Sequence, residues 1–405
     1  MRYLLLLIPL LSSCASSPRS EAPRVSDADR IVRELCGKQM ALLGEESHHG
    51  SARTVAFKVE LTRRLVEECQ YDAFFIETGT YDFLHIQTLL KAGQPVSDDT
   101  LAAAIGGMWA SPEMAPLIPF LAERLRAGTL AVGGIDDQIN RGTWATKEMA
   151  RELSPLFTGP RQAECGAALD RHLAWRYDET HPYTAETAKD LLGCAKELES
   201  ALSRPEAPAT PAQLQIARNL VRNFTREAAA RARKQAQPDG PWDWGHDIAR
   251  DRSMFMNLEW LLSQSPQPRK AIVWTATVHA AKDMSSLESD DRQRIPLGSY
   301  VRERFGDQSF VLGFSASSGS HSIGASAHTF VLAPATPDSL EGQAFANHSA
   351  DTRYLDGRQL RDFGPRVARL LTYSSWMKAP WATVVDGLLI IREEMPSRPS
   401  SRTAR

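Results

Sequence analysis

Four short apolar runs, at residues 40–44, 73–76, 130–135 and 271–274, punctuate the first two thirds of the chain. Each is almost continuous in apolar side chains, as a strand buried on both faces should be. Segments with apolar residues at helical spacing separate the first three. The clearest covers Ala52–Cys69, where Val55, Val59, Thr62, Val66 and Cys69 mark one face. Strand–helix–strand alternation predicts a parallel sheet between helical layers, an α/β three-layer core with a mostly parallel sheet. Later strands are expected at 309–314, 328–332 and 383–392, the last as an edge strand. Residues 151–245 change character to helical patterns at 152–157, 161–176, 185–202 and 211–235, broken by Pro and Gly. This helical insertion is placed to form a lid or one wall of a cleft.

The four runs end alike. The first is followed by Glu45, the second by Glu77, the third by Asp136, and the fourth, after Thr275 to Val278, by His279. In a parallel sheet these ends share one edge, where α/β proteins hold their ligands. The first end is the richest, since Gly44-Glu45-Glu46-Ser47-His48-His49-Gly50 sets two carboxylates beside two imidazoles. A lone acid after a strand is commonly a turn former or helix cap; the repetition makes the case for chemistry. Lys58, in the second turn of the following helix, is a candidate cation for a carboxylate or an oxyanion. In the segment 246–262, Asp251, Met254 and Asn257 recur every three residues and share a face.

Composition narrows the function. The 405 residues carry 47 Lys+Arg against 49 Asp+Glu, a net charge of −2, which argues against a nucleic-acid partner. No Gly-x-Ser-x-Gly elbow, Walker A loop or GxGxxG occurs. Residues 1–14 (MRYLLLLIPLLSSC) are too short in their apolar stretch to span a bilayer, and Leu11-Ser12-Ser13-Cys14 resembles a bacterial lipobox. That resemblance implies a lipid anchor on Cys14, on the outer membrane facing the periplasm, with residues 15–28 as a tether. The main domain is then 29–395 and the tail 396–405 is expected to be disordered. The remaining cysteines, Cys36, Cys69, Cys165 and Cys194, are even in number, and pairs Cys36–Cys69 and Cys165–Cys194 each flank a helical unit; four reduced thiols are the alternative. No cysteine–histidine spacing suggests zinc.

Gly44-Glu45-Glu46-Ser47-His48, Phe75-Ile76-Glu77-Thr78-Gly79, Gly134-Ile135-Asp136, Arg250-Asp251 with Met254, Asn257 and Trp260, Val273-Trp274 with His279 to Lys282, and Leu297 to Tyr300 occur in the order found in the erythromycin esterase family, which the chain resembles over about residues 35–395. The resemblance implies hydrolysis of an ester or lactone small molecule without a metal or other cofactor. It assigns His48 as general base, Glu45 and Glu77 as its carboxylate partners, and Lys58 and His279 as stabilisers of the oxyanion. His49, Asp136, Asp251 and Asn257 are candidate substrate contacts. Two features depart from the family: Ala276 and Thr277 replace the first histidine and the asparagine of its His-Asn-x-His element, and His49 is an extra residue beside His48. The functional pair is therefore Glu45/His48 or, in a shifted register, Glu46/His49. A metal-dependent hydrolase built on Glu45, His48, Glu77 and His279, and a haem- or ligand-binding lipoprotein using His48 or His49, are the competing readings.

Overall fold

The structure is a computed structural model that describes residues 25–400, apart from 208. Cys14, the leader and residues 401–405 lie outside the described residues.

Seven strands form the central sheet: β1 (Met40–Leu43), β2 (Ala73–Gly79), β3 (Ala131–Asp136), β4 (Ala271–Trp274), β5 (Ser309–Ala316), β6 (Thr352–Asp356) and β7 (Gly387–Ile391). Their order is β3-β2-β4-β1-β5-β7-β6, and all pairs are parallel except β7 with β6. Every residue of β1, β2, β4, β5 and β7 is buried, which is why these strands read as continuous apolar runs. Alternate side chains feed two cores. Ala41, Leu43, Phe74, Ile76 and Trp274 pack on the face covered by helices Asp27–Cys36 and Ala52–Cys69. Met40, Leu42, Phe75 and Val273 pack on the other, against Met254 and Leu258 of helix Trp244–Ser263.

The register aligns the strand ends. Leu43 sits beside Trp274, Trp274 beside Ile76, and Ile76 beside Gly134. The first or second residue beyond this level on each strand is an acid, so Glu45, Glu77 and Asp136 emerge at one edge.

The sheet also departs from expectation. β7 is interior, not an edge, because it pairs with β5 on one side and β6 on the other. Thr329–Leu332 belongs to a separate three-stranded sheet with His49–Gly50 and Gly319–Ile323. Gly50 permits that contact, since a Cβ there would lie 1.9 Å from the Ser322 carbonyl oxygen. Residues 396–400 are bonded, not a free tail: Ser397 N donates to Gly50 O (2.9 Å) and Ser400 N to Ala110 O (2.9 Å).

Helices Gln162–Leu173, Ala185–Leu202 and Pro211–Ala236 enclose their own core around Leu169, Leu198, Leu220 and Phe224. Both cysteine pairs are disulfides, Cys36–Cys69 and Cys165–Cys194, with Cα separations of 4.7 and 5.3 Å.

Glu394 fastens the end of the domain to the start of helix Ala52–Cys69. It accepts from Arg53 N (2.8 Å), Thr54 Oγ1 (2.7 Å) and Met395 N (3.0 Å). Burial outweighs these bonds and pushes its carboxyl up to about 7. Between its unfolded value of 4.5 and about 7, the folded state keeps a proton that the unfolded state has released. The stability contributed by this group is therefore full below the lower value and lost as pH rises through the upper one. In urea unfolding from pH 5 to 8, the wild type is expected to lose on the order of 2–3 kcal/mol relative to Glu394→Gln. A difference that stays constant with pH would contradict this assignment.

Candidate active site

The turn after β1 sends its two carboxylates in opposite directions, as consecutive residues of an extended segment must. Glu45 points under the sheet edge, where its Oε1 accepts from Trp274 Nε1 (3.2 Å) and lies 3.0 Å from His49 Nδ1. Glu46 points the other way, with its Oε2 3.0 Å from His48 Nδ1. The pairs are thus Glu45–His49 and Glu46–His48, and neither register anticipated from the sequence forms. The physical reason is the backbone of His49. Its φ of 59° lies in the left-handed region, and its N–H donates to Glu46 O (3.2 Å), so the chain doubles back and sets His49 over Glu45. A non-glycine residue held there stores strain, a pattern found at functional sites.

His49 is buried, with its ring against Trp109 (centroids 4.6 Å apart). Its Nε2 lies 4.0 Å from Glu77 Oε1 and faces the central cavity. Burial alone would depress its pKa; the hydrogen bond to Glu45 and the charges of Glu77, Glu45 and Glu46 offset this and leave it raised above 6.5. His48 is half-exposed and turned away from the cavity, so the expected role of general base does not fit its position.

Lys58 is also relocated. Its side chain is wholly buried beneath the turn, with Nζ 3.3 Å from Glu45 Oε1 and 4.1 Å from the centre of the Trp274 ring. Burial pushes its ammonium down to about 8, against the pull of Glu45 and Glu77. It neutralises Glu45 from below and cannot reach an oxyanion in the cavity.

Across the cavity, Arg250 organises the other strand ends. It donates to Glu77 Oε1 (3.0 Å) and to Asp136 Oδ2 (2.6 Å), and Nη1 lies 3.1 Å from His279 Nε2. Glu77 Oε2 accepts from Thr275 Oγ1 (2.6 Å) and Ala276 N (2.9 Å). Burial alone would raise the Glu77 carboxyl; His279, His49 and Arg250 overcome it and hold the group well below the usual carboxylate range. His279 Nδ1 is anchored on Asp251 Oδ1 (2.8 Å), leaving Nε2 toward Arg250 and Glu77 (3.3 Å).

Two expected substrate contacts prove to be internal. Asp251 is fully buried behind His279 and also accepts from Leu297 N (2.9 Å). Asn257 joins the insertion to the sheet, bonding Gln215 (2.9 Å), Asn219 (2.7 Å) and Ile135 O (2.9 Å). The ligand set of Glu45, His48, Glu77 and His279 does not converge either, because His48 faces away. Arg250 is the site residue that sequence reading passed over, although it adjoins Asp251 in the same motif.

His49, Glu77, Asp136, Arg250, Ala276 and His279 line a cavity of about 590 Å³. An adjoining hollow of about 450 Å³, walled by Ile105, Trp109, Met114 and Ile118, shares the Ile105–Trp109 rim. Of residues 151–245, Trp242 is the one that reaches the central cavity; the wall is built mainly by 105–109 and 138–141.

Seven strands, helices on both faces and acid–imidazole chemistry at the strand ends define a three-layer α/β protein with a Glu/His site at one edge of its sheet. The erythromycin esterase family profile matches residues 66–393, and the chain belongs to that family. It is 23% identical over 316 residues to the putative hydrolase YbfO of Bacillus subtilis (strain 168), covering 74% of this chain and 70% of YbfO. Among solved structures, a Bacillus cereus protein superposes with a TM-score of 0.66 at 16% identity, over 94% of this chain and 95% of the other. A mutant of the erythromycin esterase EreC in its open conformation gives 0.65 at 14% identity, over 92% and 94%. These likenesses establish the fold, and family membership places the chain among hydrolases.

Proposed function

We propose that the chain hydrolyses an ester or lactone by general-base attack of water, with His49 as the base. The observation that carries this reading is the position of the His49 ring, tied through Nδ1 to Glu45 and presenting Nε2 to the cavity beside Glu77. Nδ1–H donates to Glu45, so the Nε2 lone pair is free to take a proton. A water held between Nε2 and Glu77 loses a proton to His49 as its oxygen attacks the carbonyl carbon. Charge develops on the carbonyl oxygen, and Arg250, which lines the cavity and is oriented by Glu77, Asp136 and His279, is the donor nearest that space. Collapse breaks the carbon–oxygen bond, and the imidazolium returns its proton to the departing alkoxide. Proton transfer of this kind contributes about 10²–10⁴-fold.

The polar cavity and its apolar neighbour suit a polar ester carried on a bulky apolar body, and macrolide lactones are the class that the family's name suggests. Ala276 presents only a methyl group to this cavity. To test the activity, the purified protein is incubated with erythromycin and a panel of smaller esters and lactones, and products are read by mass spectrometry. Gain of one water by at least one substrate is expected; recovery of every compound intact would overturn the reading.

The lipobox-like segment supports a second part of the proposal, a lipid anchor that holds the enzyme on the periplasmic side of the outer membrane. Cys14→Ser is expected to move the protein from the membrane to the soluble fraction. Unchanged membrane association would exclude the anchor.

A further inference from the structure

We infer that Glu46, His48 and His321 form a site for a divalent transition-metal ion, zinc by the chemistry of the donors, which locks the turn that carries His49. One donor atom from each of the three lies within 4.8 Å of the other two. Glu46 Oε2 is 3.0 Å from His48 Nδ1, and Glu46 Oε1 is 3.9 Å from His321 Nδ1. Donors on a tetrahedral zinc ion, at about 2.1 Å from the metal, sit about 3.4 Å apart. The widest pair must close by about 1.4 Å, and His48, being half-exposed, is free to make that adjustment.

The second observation is His321 itself. Its residue is 6% exposed, and its Nδ1 is buried with no hydrogen-bond partner. Buried polar atoms are almost always satisfied, so this one needs an explanation, and an unseen ion is a standard one. The ring is not loose. Phe330 stacks on it at 5.5 Å and Tyr373 meets it edge-on at 5.2 Å, which aims the nitrogen at Glu46. Glu46 is also fully buried, and among the described residues its ion-pair partners are these two imidazoles. A buried carboxylate facing two histidines, with no arginine or lysine paired to it among the described residues, is a donor set for a cation. Two nitrogens and one oxygen suit zinc, with a fourth position toward solvent beside His48.

The ion would do work that the hydrolytic site needs but does not itself supply. His48 and His321 lie on neighbouring segments, since Gly324 N donates to His48 O (2.6 Å) and His49–Gly50 pairs with Ser322 and Ile323. Cross-linking them through a metal pins the residue before His49, where the backbone is held in its left-handed conformation. The metal is thus a brace for the base and has no place in the hydrolytic step.

The test reads metal, not turnover, so it stands or falls apart from the esterase proposal. The full chain, purified and stripped with EDTA, is titrated with zinc chloride by calorimetry, with bound metal counted by elemental analysis. One zinc per chain is expected, together with a rise in thermal midpoint. His48→Ala and His321→Ala are each expected to weaken binding by at least about tenfold, and His279→Ala to leave it intact. His48→Ala, on a half-exposed residue, carries the test if the His321 variant fails to fold. No bound zinc in the wild type, or binding that survives His48→Ala, would overturn the inference.

Discussion

His49→Ala is expected to lower kcat/KM by about 10³-fold or more, whereas His48→Ala loses at most about tenfold. The two imidazoles are adjacent in sequence, so the comparison isolates position. His49 presents Nε2 to the cavity beside Glu77, while His48 lies outside the cavity lining and bonds to Glu46. The modest loss at His48 would come from a looser turn, because its partner Glu46 also lies within reach of Gly50 N (3.4 Å). Steady-state kinetics on the substrate found in the panel decides it. A larger loss at His48 than at His49 would reverse the assignment of the base.

Arg250→Gln is expected to damage both folding and turnover. Arg250 is the cation shared by Glu77 and Asp136, each a few per cent exposed. Its removal leaves Asp136 without its cation and Glu77 with only the two imidazoles and its Thr275 and Ala276 donors, and breaking a buried ion pair costs on the order of 3–5 kcal/mol. The Glu77 carboxyl, now held low in part by Arg250, would rise toward the ordinary range and position water less well. Urea denaturation should show the loss of stability, and kcat/KM should fall by about 10²-fold or more. Arg250→Lys retains a charge but not the fork that reaches Asp136 and Glu77 together, so partial recovery is expected. A stable, active Arg250→Gln enzyme would remove the residue from the mechanism.

Much of the fold was legible because parallel strands leave a blunt signal. Runs 40–44, 73–76, 130–135 and 271–274 are apolar on both faces, and each strand formed within a few residues of its expected place. β6 was missed since Thr352, Arg353 and Asp356 are only partly buried, and an edge strand needs no continuous apolar run. β7 was misjudged on its missing end chemistry, although Gly387-Leu388-Leu389-Ile390-Ile391 has the composition of an interior strand. At the site, Glu45, Glu77, Asp136 and His279 followed from the shared sheet edge. Which histidine met which glutamate did not follow, because it turns on one positive φ at His49 that no spacing encodes. Lys58 was placed on the correct helix, but whether a lysine points up into a cavity or lies beneath a carboxylate depends on packing around Trp274. His321 carried no signal at all, as its neighbours in space come from a turn some 270 positions earlier.

The fastening of Glu394 to Arg53 has a kinetic consequence. It joins positions 341 residues apart, and Ser397 closes on Gly50 over a similar span. Local helices form long before such distant contacts repay the entropy of closing the loop. The segment bearing His49 therefore leaves the ribosome well before the residues that fasten it, and it is among the last to acquire its final shape. A chain caught midway through folding would hold nearly all of its secondary structure without the geometry of its site.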